Sequence, residues 1–401
     1  MTVLRLCSVF EPFESSLDGR GARFDPIGGM QNHTAQLTRA LAARGVRQHV
    51  ITHRPPGAPR CQRLGAEAVI HRFGLPLPWA RQFYSLPGLV AALRLAPRVD
   101  VVHAHLGEDL AVLPLALAAS RRAAIPLVVT IHTSLRHTFA GRGPRAWSLK
   151  RVGGWIESAI CSRAAAVIAL TPHLAERLRE DGVDAERLHV IPAGVNPAEF
   201  DSEPPDPFPD VGHPRVLYVG RLVDQKGVDT LISAVTRMRS SEARVLLVGD
   251  GPKRAELELA IRRHGLEKRV RITGFRAHRE IPAILQHADI FCLPSRYEEL
   301  SSALLEAMHA GLPIVATRVG ATAETLGSAG RVVAPGDPDA LAGALDDLLA
   351  NPEEAATLGR RAHQRAQRYQ WGALADEILA LYRRTVAAAG TAALAPAASR
   401  V

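Results

Sequence analysis

The sequence predicts an α/β protein with two domains, each a doubly wound parallel sheet. Short apolar runs rich in valine and isoleucine recur along the chain, and a helical pattern follows each of them. Such runs are typical of parallel strands that are buried on both faces. The chain has 401 residues, and this length favours two hydrophobic cores over one.

The predicted strands fall into two groups. Those of the first half are VLRLCSVF, QHVITH, AVIHRF, VDVVHAH, PLVVTIHTS, AAVIAL and LHVIPAG. Those of the second half are RVLYVG, ARVLLVGDG, VRITGF, DIFCLPS, PIVATRVG and GRVVAPGD. Between them, residues 201–214 are rich in proline and acidic residues, as linkers are. We therefore expect domains at 1–200 and 215–370, a helix at 371–386 that returns to the first domain, and a frayed tail at 387–401. Ligands bind at the carboxyl ends of such strands, so the cleft between the domains is the expected site.

Composition excludes several classes of protein. No apolar run reaches the roughly 18 residues that a membrane helix needs. The first residues, MTVLRLCSVF, lack a charged lead and a cleavage site, so we interpret them as a strand and expect a cytoplasmic protein. The four cysteines have no paired spacing and predict neither a disulfide framework nor a zinc site.

The positive charge is concentrated in the first half. Residues 1–200 contain 24 Lys and Arg against 15 Asp and Glu, which equals the whole formal charge of +9. Part of the excess lies in residues 136–163, and a basic surface of this kind can bind an anionic membrane. The alternative is a coding bias, because only four lysines accompany the 45 arginines. We do not expect nucleic-acid binding, and oligomeric state leaves no readable mark.

The stretch EELSSALLE places two glutamates eight positions apart, Glu298 and Glu306. Ser301 and Ser302 are N-cap residue types at the start of an apolar helical run. Glu298 is therefore expected in the loop before a helix, and Glu306 near the second helical turn. A helix N-terminus favours anions, so the stretch predicts a site for a ligand with both phosphate and hydroxyl groups. The alternative is a capped amphipathic helix with ordinary surface glutamates.

The loop VGRLVDQKG places Arg221 and Lys226 five residues apart, between Gly220 and Gly227. Glycines let a backbone approach a ligand closely, while guanidinium and ammonium groups bind phosphate oxygens. A solvated basic turn is the alternative.

Further candidates lie at predicted strand and helix ends. Gly28 and Gly29 open a helix but lack the full dinucleotide pattern G-x-G-x-x-G. His132 lies just past a predicted strand, His103 and His105 lie at the end of another, and a structural histidine is the alternative there. With no third ligand at a matching spacing, we predict no metal site.

The only D-x-D pair has a structural interpretation. Asp337 and Asp339 precede a helix, so we interpret them as capping residues and not as ligands of magnesium.

In this order, the motifs resemble the retaining glycosyltransferases of family 4, whose GT-B fold has two Rossmann-like domains facing across a cleft. The similarity covers nearly the whole chain and includes VIPAGVNPAEF, LLVGDGP, ITGF and LLEAMHAGLPIVAT. It implies that Glu298 contacts hydroxyls of the donor sugar and that Glu306 holds the nucleotide ribose. It also implies that Arg221 and Lys226 clamp the diphosphate and that His132 lies near the transferred sugar.

The resemblance also implies that Gly28 and Gly29 form the glycine loop by the phosphates. From the two motifs above, Gly220, Ser301 and Ser302 are further candidate donor-binding residues. The family's chemistry implies a metal-independent reaction with a nucleotide sugar, a UDP-sugar being favoured, and no cofactor.

The chain departs from the family pattern at three positions. It has Glu299 where the family often has glycine or proline. It also has Ser301 and Ala321 at two positions where the family often has glycine. These departures put the detailed contacts to the sugar in question and leave the fold unaffected.

Within the family, FDPIGGMQ and EELSSALLEAM look like the transferases that glycosylate aminocyclitols in aminoglycoside antibiotic assembly. Two predicted loops contain acidic residues that would attract a cationic acceptor, the alternative being that these acids are simply solvated. The residues are Glu11, Glu14, Asp18, Asp25, Glu108 and Asp109. We expect a hexose or N-acetylhexosamine to be moved to 2-deoxystreptamine or a derivative of it. The alternatives are a peripheral membrane enzyme with a lipid acceptor, a sugar-nucleotide epimerase and a non-catalytic binding protein.

Overall fold

The computed structural model describes residues 1–11, 29–75, 84–107, 109–137 and 143–394. Five candidate site residues named from the sequence lie outside these ranges, namely Gly28, Glu14, Asp18, Asp25 and Glu108. The described chain divides into two compact units. Met30–Pro192 belongs to the first unit together with the N-terminal strand and the last helix, and Ala193–Gln370 belongs to the second.

The first unit contains an eight-stranded sheet in the order β3-β4-β2-β1-β5-β6-β7-β8. Its strands are β1 Thr2–Cys7, β2 Arg47–His53, β3 Cys61–Leu64, β4 Ala68–Phe73, β5 Val101–Leu106, β6 Leu127–Ile131, β7 Ala166–Ala169 and β8 Leu188–Val190. Its first five helices are α1 Gly29–Ala42, α2 Ser85–Leu95, α3 Val112–Ala123, α4 Pro144–Cys161 and α5 Pro172–Glu180. The seven predicted strands are all present. The sequence prediction missed β3, whose residues CQRL form no apolar run and alternate between exposed and partly buried. This strand pairs antiparallel with β4 at the sheet edge.

The second unit contains a six-stranded parallel sheet in the order β11-β10-β9-β12-β13-β14. Its strands are β9 Arg215–Val219, β10 Arg244–Val248, β11 Val270–Gly274, β12 Ile290–Leu293, β13 Ile314–Thr317 and β14 Arg331–Val333. Its helices are α6 Val228–Val235, α7 Arg254–Arg263, α8 Ile281–Gln286, α9 Ser302–His309, α10 Thr322–Leu326, α11 Pro338–Ala350 and α12 Pro352–Ala366. All six strands predicted for this half are observed.

The segment predicted as a linker packs onto the second unit. Phe208 and Val211 are buried in that unit's core. The Arg215 guanidinium is buried and forms a two-pronged ion pair with Asp206, at 2.9 and 2.8 Å. Proline and acid content therefore identified an irregular segment here, but its apolar residues and the ion pair of its Asp206 with Arg215 of β9 attach it to a core.

The last helix, α13, spans Trp371–Leu394 and is longer than predicted. Alanine is the strongest helix former, so the alanine-rich residues after 386 extend the helix where fraying was expected. Trp371, Ile378 and Tyr382 pack in the core of the first unit with Val3 of β1. Leu4 of the same strand belongs to the other core cluster, on the opposite face of the sheet.

Candidate active site

The N-terminus of α9 has the geometry predicted from EELSSALLE. Ser301 is the N-cap residue, and its Oγ accepts a hydrogen bond from the Leu304 N–H at 3.3 Å. Ser302 is the first helical residue, Glu298 lies in the preceding loop and Glu306 lies in the second turn. Both glutamates are buried, with 7% and 8% of their surface exposed. The alternative of ordinary surface glutamates is therefore wrong.

Two of the predicted site residues form an ion pair. The Lys226 ammonium donates a hydrogen bond to Glu298 Oε2, which also accepts one from Ser295 Oγ at 3.2 Å. A buried carboxylate is costly unless it is paired and hydrogen-bonded, and this arrangement supplies both partners. The loop after β9 and the loop before α9 thus meet at one carboxylate.

Glu306 has a partner that the sequence reasoning missed. His278 Nε2 lies 2.9 Å from Glu306 Oε1. His278 follows the end of β11 by a few residues, which is where site residues collect in a parallel sheet. Its position after a strand was the one available signal, since nothing local links it to Glu306.

Glycines hold the basic loop against its neighbours. A Cβ added to Gly220 would lie 2.6 Å from the Tyr218 hydroxyl oxygen, which donates to the Arg221 carbonyl at 2.8 Å. Burial, with the Glu298 charge second, raises the pKa of Tyr218 well above its usual value, so the hydroxyl remains a donor. Gly227 has φ +60, and a Cβ there would lie 2.1 Å from the Pro294 carbonyl oxygen. Arg221 and Lys226 therefore extend from a closely packed backbone.

Gly320 lies against the backbone of the acidic loop. It has φ +47, and a Cβ there would lie 1.7 Å from the Glu298 carbonyl oxygen. Ala321 has φ −84 and donates its N–H to the Glu299 carbonyl at 3.2 Å. Only the first position of this turn requires glycine, so the structure accommodates the departure at Ala321.

The remaining motif residues of the second unit have clear positions. Gly29 is the first residue of α1, but its contacts assign it to the second unit. A Cβ added to Gly29 would lie 3.1 Å from Ser302 Oγ. Asp337 caps α11 and accepts hydrogen bonds from the N–H groups of Asp339 and Ala340, at 3.1 and 2.9 Å. The capping prediction is confirmed for Asp337, whereas Asp339 lies in the first turn of α11 and not before the helix.

His132 lies at the end of β6 in the first unit, within a cluster of histidines. Its Nε2 is 3.2 Å from His105 Nδ1, and its ring contacts the His33 ring edge to face at 4.4 Å between centroids. One nitrogen from each of these three residues lies within 4.8 Å of the others. Sequence spacing had supplied no third histidine because His33 belongs to α1, far from both strands in the chain.

A buried arginine sets the electrostatics of this cluster. Arg5 is 1% exposed, and its Nη2 lies 2.7 Å from His105 Nε2. Burial first, and then the Arg5 charge, lower the pKa of His132 to about 3. Burial also lowers the pKa values of His33 and His105 well below their usual value. All three rings are therefore neutral at pH 7.

The loop after His132 is held by an acid of α4. Glu157 is 1% exposed, and its Oε2 accepts the Leu135 N–H at 2.8 Å. Burial raises the pKa of Glu157. The sequence analysis did not identify this contact. The acid fixes the backbone that leaves the candidate site residue His132.

Two family models match consecutive parts of the chain. The model described as Glycosyltransferase Family 4 matches residues 27–199, and the one described as Glycosyl transferases group 1 matches residues 200–365. Among solved structures, sucrose-phosphate synthase from Thermosynechococcus elongatus superposes with a TM-score of 0.81 at 26% identity, covering 96% of this chain and 99% of that one.

Curated relatives cover most of the chain. A 2-deoxystreptamine glucosyltransferase of Streptomyces kanamyceticus is 32% identical over 80% of this chain and 90% of the relative. A 2-deoxystreptamine N-acetyl-D-glucosaminyltransferase of Streptomyces fradiae is 31% identical over 88% and 89%. A phosphatidyl-myo-inositol mannosyltransferase of Mycobacterium leprae is 30% identical over 92% and 96%.

Proposed function

This chain belongs to glycosyltransferase family 4 and has the GT-B fold, and on that premise we propose its donor, its acceptor and the course of its reaction. It transfers a hexose or N-acetylhexosamine, UDP-glucose or UDP-N-acetylglucosamine being favoured donors, to 2-deoxystreptamine or a derivative. The reaction proceeds with retention and without a metal ion. The observation that carries the donor assignment is the ion pair between Lys226 and the buried Glu298, next to the N-terminus of α9.

The geometry of the second unit suits a nucleotide sugar. Lys226 and Arg221 extend from one loop and supply positive charge for a diphosphate, which a helix N-terminus also favours. Lys226 contacts one oxygen of Glu298, and the other oxygen can accept from a sugar hydroxyl. Glu306, already hydrogen-bonded to His278, is assigned to the ribose.

Catalysis in this proposal rests on charge. The bond between the sugar and the diphosphate breaks, and negative charge develops on the leaving phosphate, where Arg221 and Lys226 stabilise it. The acceptor hydroxyl attacks from the same face, and its proton passes to the leaving phosphate. The low pKa of His132 makes it a neutral hydrogen-bonding group near the sugar and not an acid that protonates the leaving group.

The acceptor assignment rests on the relatives. Two of them are named for transfer to 2-deoxystreptamine, one with glucose and one with N-acetylglucosamine. The loop acids give less support than the sequence suggested. Glu11 is paired with Arg39, and the buried Asp109 accepts the Ala111 N–H at 2.7 Å, so both have structural partners.

A product assay tests the proposal. The purified protein is mixed with UDP-, GDP- and dTDP-sugars and 2-deoxystreptamine, with and without EDTA, and products are read by mass. The expected result is an aminocyclitol heavier by one hexose or N-acetylhexosamine, formed equally in EDTA. No product with any aminocyclitol would refute the acceptor, and loss of product in EDTA would refute metal independence.

One observation favours a second candidate, a lipid acceptor. Trp147, Arg151 and Trp155 lie four residues apart along α4, and the two tryptophans are 62% and 72% exposed. The Arg151 guanidinium carbon lies 5.0 Å from the centroid of the Trp147 ring. Tryptophan and basic residues together are typical of surfaces that contact anionic bilayers. The sequence reasoning had passed over these tryptophans. None of the helices in the described ranges is long and apolar enough to cross a membrane.

Vesicle binding tests the second candidate. If it is correct, the protein floats with phosphatidylglycerol vesicles at low salt and not with phosphatidylcholine vesicles. The double variant Trp147→Ala, Trp155→Ala should lose this binding, while Leu259→Ala, which removes an exposed leucine of the second unit, should keep it. Absence of vesicle binding by the wild type would refute the proposal of a lipid acceptor.

A further inference from the structure

A chain of hydrogen bonds runs from β1 to the candidate active site. The Arg5 guanidinium contacts His105 Nε2 through Nη2 at 2.7 Å and through Nε at 3.3 Å. His105 Nδ1 lies 3.2 Å from His132 Nε2. Both rings of this chain are buried. Arg5 also donates to the Thr34 carbonyl at 3.2 Å and to Gln48 Oε1 at 3.3 Å, so its own position is fixed.

The chemistry of the guanidinium sets the direction of the whole chain. Arginine has donors only, so His105 Nε2 must accept. A neutral imidazole that accepts at one nitrogen carries its proton on the other, so His105 has its proton on Nδ1. That proton points at His132 Nε2, which must accept in turn. The proton of neutral His132 is then on Nδ1.

Other groups pack around this chain without reversing it. His103 uses its nitrogens elsewhere, with Tyr382 Oη at 2.6 Å from Nδ1 and Thr130 Oγ1 at 2.8 Å from Nε2. His33 of α1 contacts the rings of His105 and His132 with its own ring, and neither of its nitrogens has a hydrogen-bond partner among the described residues. The Arg5 charge acts on His33, His105 and His132 and favours the neutral form of each ring.

We propose that Arg5 and His105 are positioning residues that hold His132 as the Nδ1–H tautomer, with Nε2 occupied, so that it offers a hydrogen-bond donor to the reacting sugars. The tautomer follows from the hydrogen bonds alone, and its effect on turnover rests on the proposed role of His132. The same reasoning disfavours a metal ion among His33, His105 and His132, because the lone pair that His105 Nδ1 would need is occupied by a proton.

The first test measures the tautomer directly. In the full-length protein labelled with ¹⁵N-histidine, long-range ¹H–¹⁵N spectra distinguish Nδ1–H from Nε2–H rings, and His132→Gln identifies the signal of residue 132. We expect Nδ1–H for both His105 and His132 at pH 7. An Nε2–H signal for His132 overturns the proposal, as does one-to-one Zn²⁺ binding that His105→Leu abolishes.

The second test compares variants with matched packing. His105→Gln can still accept from Arg5 and donate to His132, whereas His105→Leu can do neither. We expect His105→Leu to lower kcat about 10- to 100-fold, the size of loss seen when a partner that orients a metal-bound imidazole is removed, with donor KM unchanged. His105→Gln should restore most of that loss. Arg5→Met should behave as His105→Leu if it folds.

The control for the second test is Thr130→Val. It removes the Thr130–His103 hydrogen bond in the same buried layer and leaves the chain intact, so it should keep the wild-type kcat. Equal kcat values for the leucine and glutamine variants would overturn the proposed positioning role. If the wild type gives no product, the proposed function fails, but the tautomer measurement still decides this inference.

Discussion

At the scale of single residues, the site depends on charges placed where the ligand's charge would change. Lys226 forms an ion pair with the buried carboxylate of Glu298, and Arg221 extends from the same glycine-bounded loop. An exposed ion pair would matter little, but a preorganised cation at a developing charge lowers an activation barrier. The described arrangement is therefore expected to affect rate more than stability.

Lys226→Ala and Arg221→Ala should each lower kcat by roughly 10² to 10³, because each removes a cation from the leaving diphosphate. Steady-state kinetics with saturating donor measures this loss, and Lys268→Ala, at an exposed position of the same unit, is the control. The free energy of unfolding, measured in urea, should change much less than the activation free energy that corresponds to the loss of kcat. Wild-type turnover in both site variants would refute the assignment.

At the scale of elements, the cap of α9 connects stability to the site. The Ser301 side chain satisfies one N–H of the first helical turn, and losing such a cap costs about 1 kcal/mol. Ser301→Ala should therefore lower the free energy of unfolding of the second unit by about this amount, measured in urea. Ser302→Ala, one residue inside the helix, is the matched control and should change it by only a few tenths of a kcal/mol. An equal loss in both variants would contradict the capping role.

Elements with their own hydrophobic pattern could be predicted from sequence, and contacts between distant elements could not. The buried strands have continuous apolar runs, and Ser301 is an N-cap residue type immediately before α9. The predictions of these strands and of this helix were therefore confirmed. The edge strand β3 has neither signal. His33 and His278 meet His132 and Glu306 only through the fold, because no spacing rule relates a helix residue to a strand end across the chain.

At the scale of the whole molecule, the histidine cluster makes the first unit sensitive to acid. Its rings stay neutral in the folded state, since burial lowers the pKa of His132 to about 3 from an ordinary 6.5. Below pH 6.5 the unfolded chain binds protons that the folded chain does not, so stability is retained above that value and falls as pH decreases toward 3. For His132 alone the loss at pH 5 amounts to about 2 kcal/mol.

Replacing one ring tests this linkage. His33 is buried with both nitrogens unpaired in the described structure and packs its ring against Trp371 at 4.8 Å. Burial lowers the pKa of His33 well below its usual value, so the unfolded chain takes up a proton at this residue that the folded chain does not. His33→Phe keeps an aromatic ring but removes this proton, so stability should fall less steeply than in the wild type as the pH decreases below 6.5. Urea unfolding followed by tryptophan fluorescence measures this, because residues 193–370 contain no tryptophan and the signal reports the first unit. His264→Phe, at an exposed histidine of the second unit, should leave the slope unchanged, and an unchanged slope in His33→Phe would show that His33 is protonated in the folded protein.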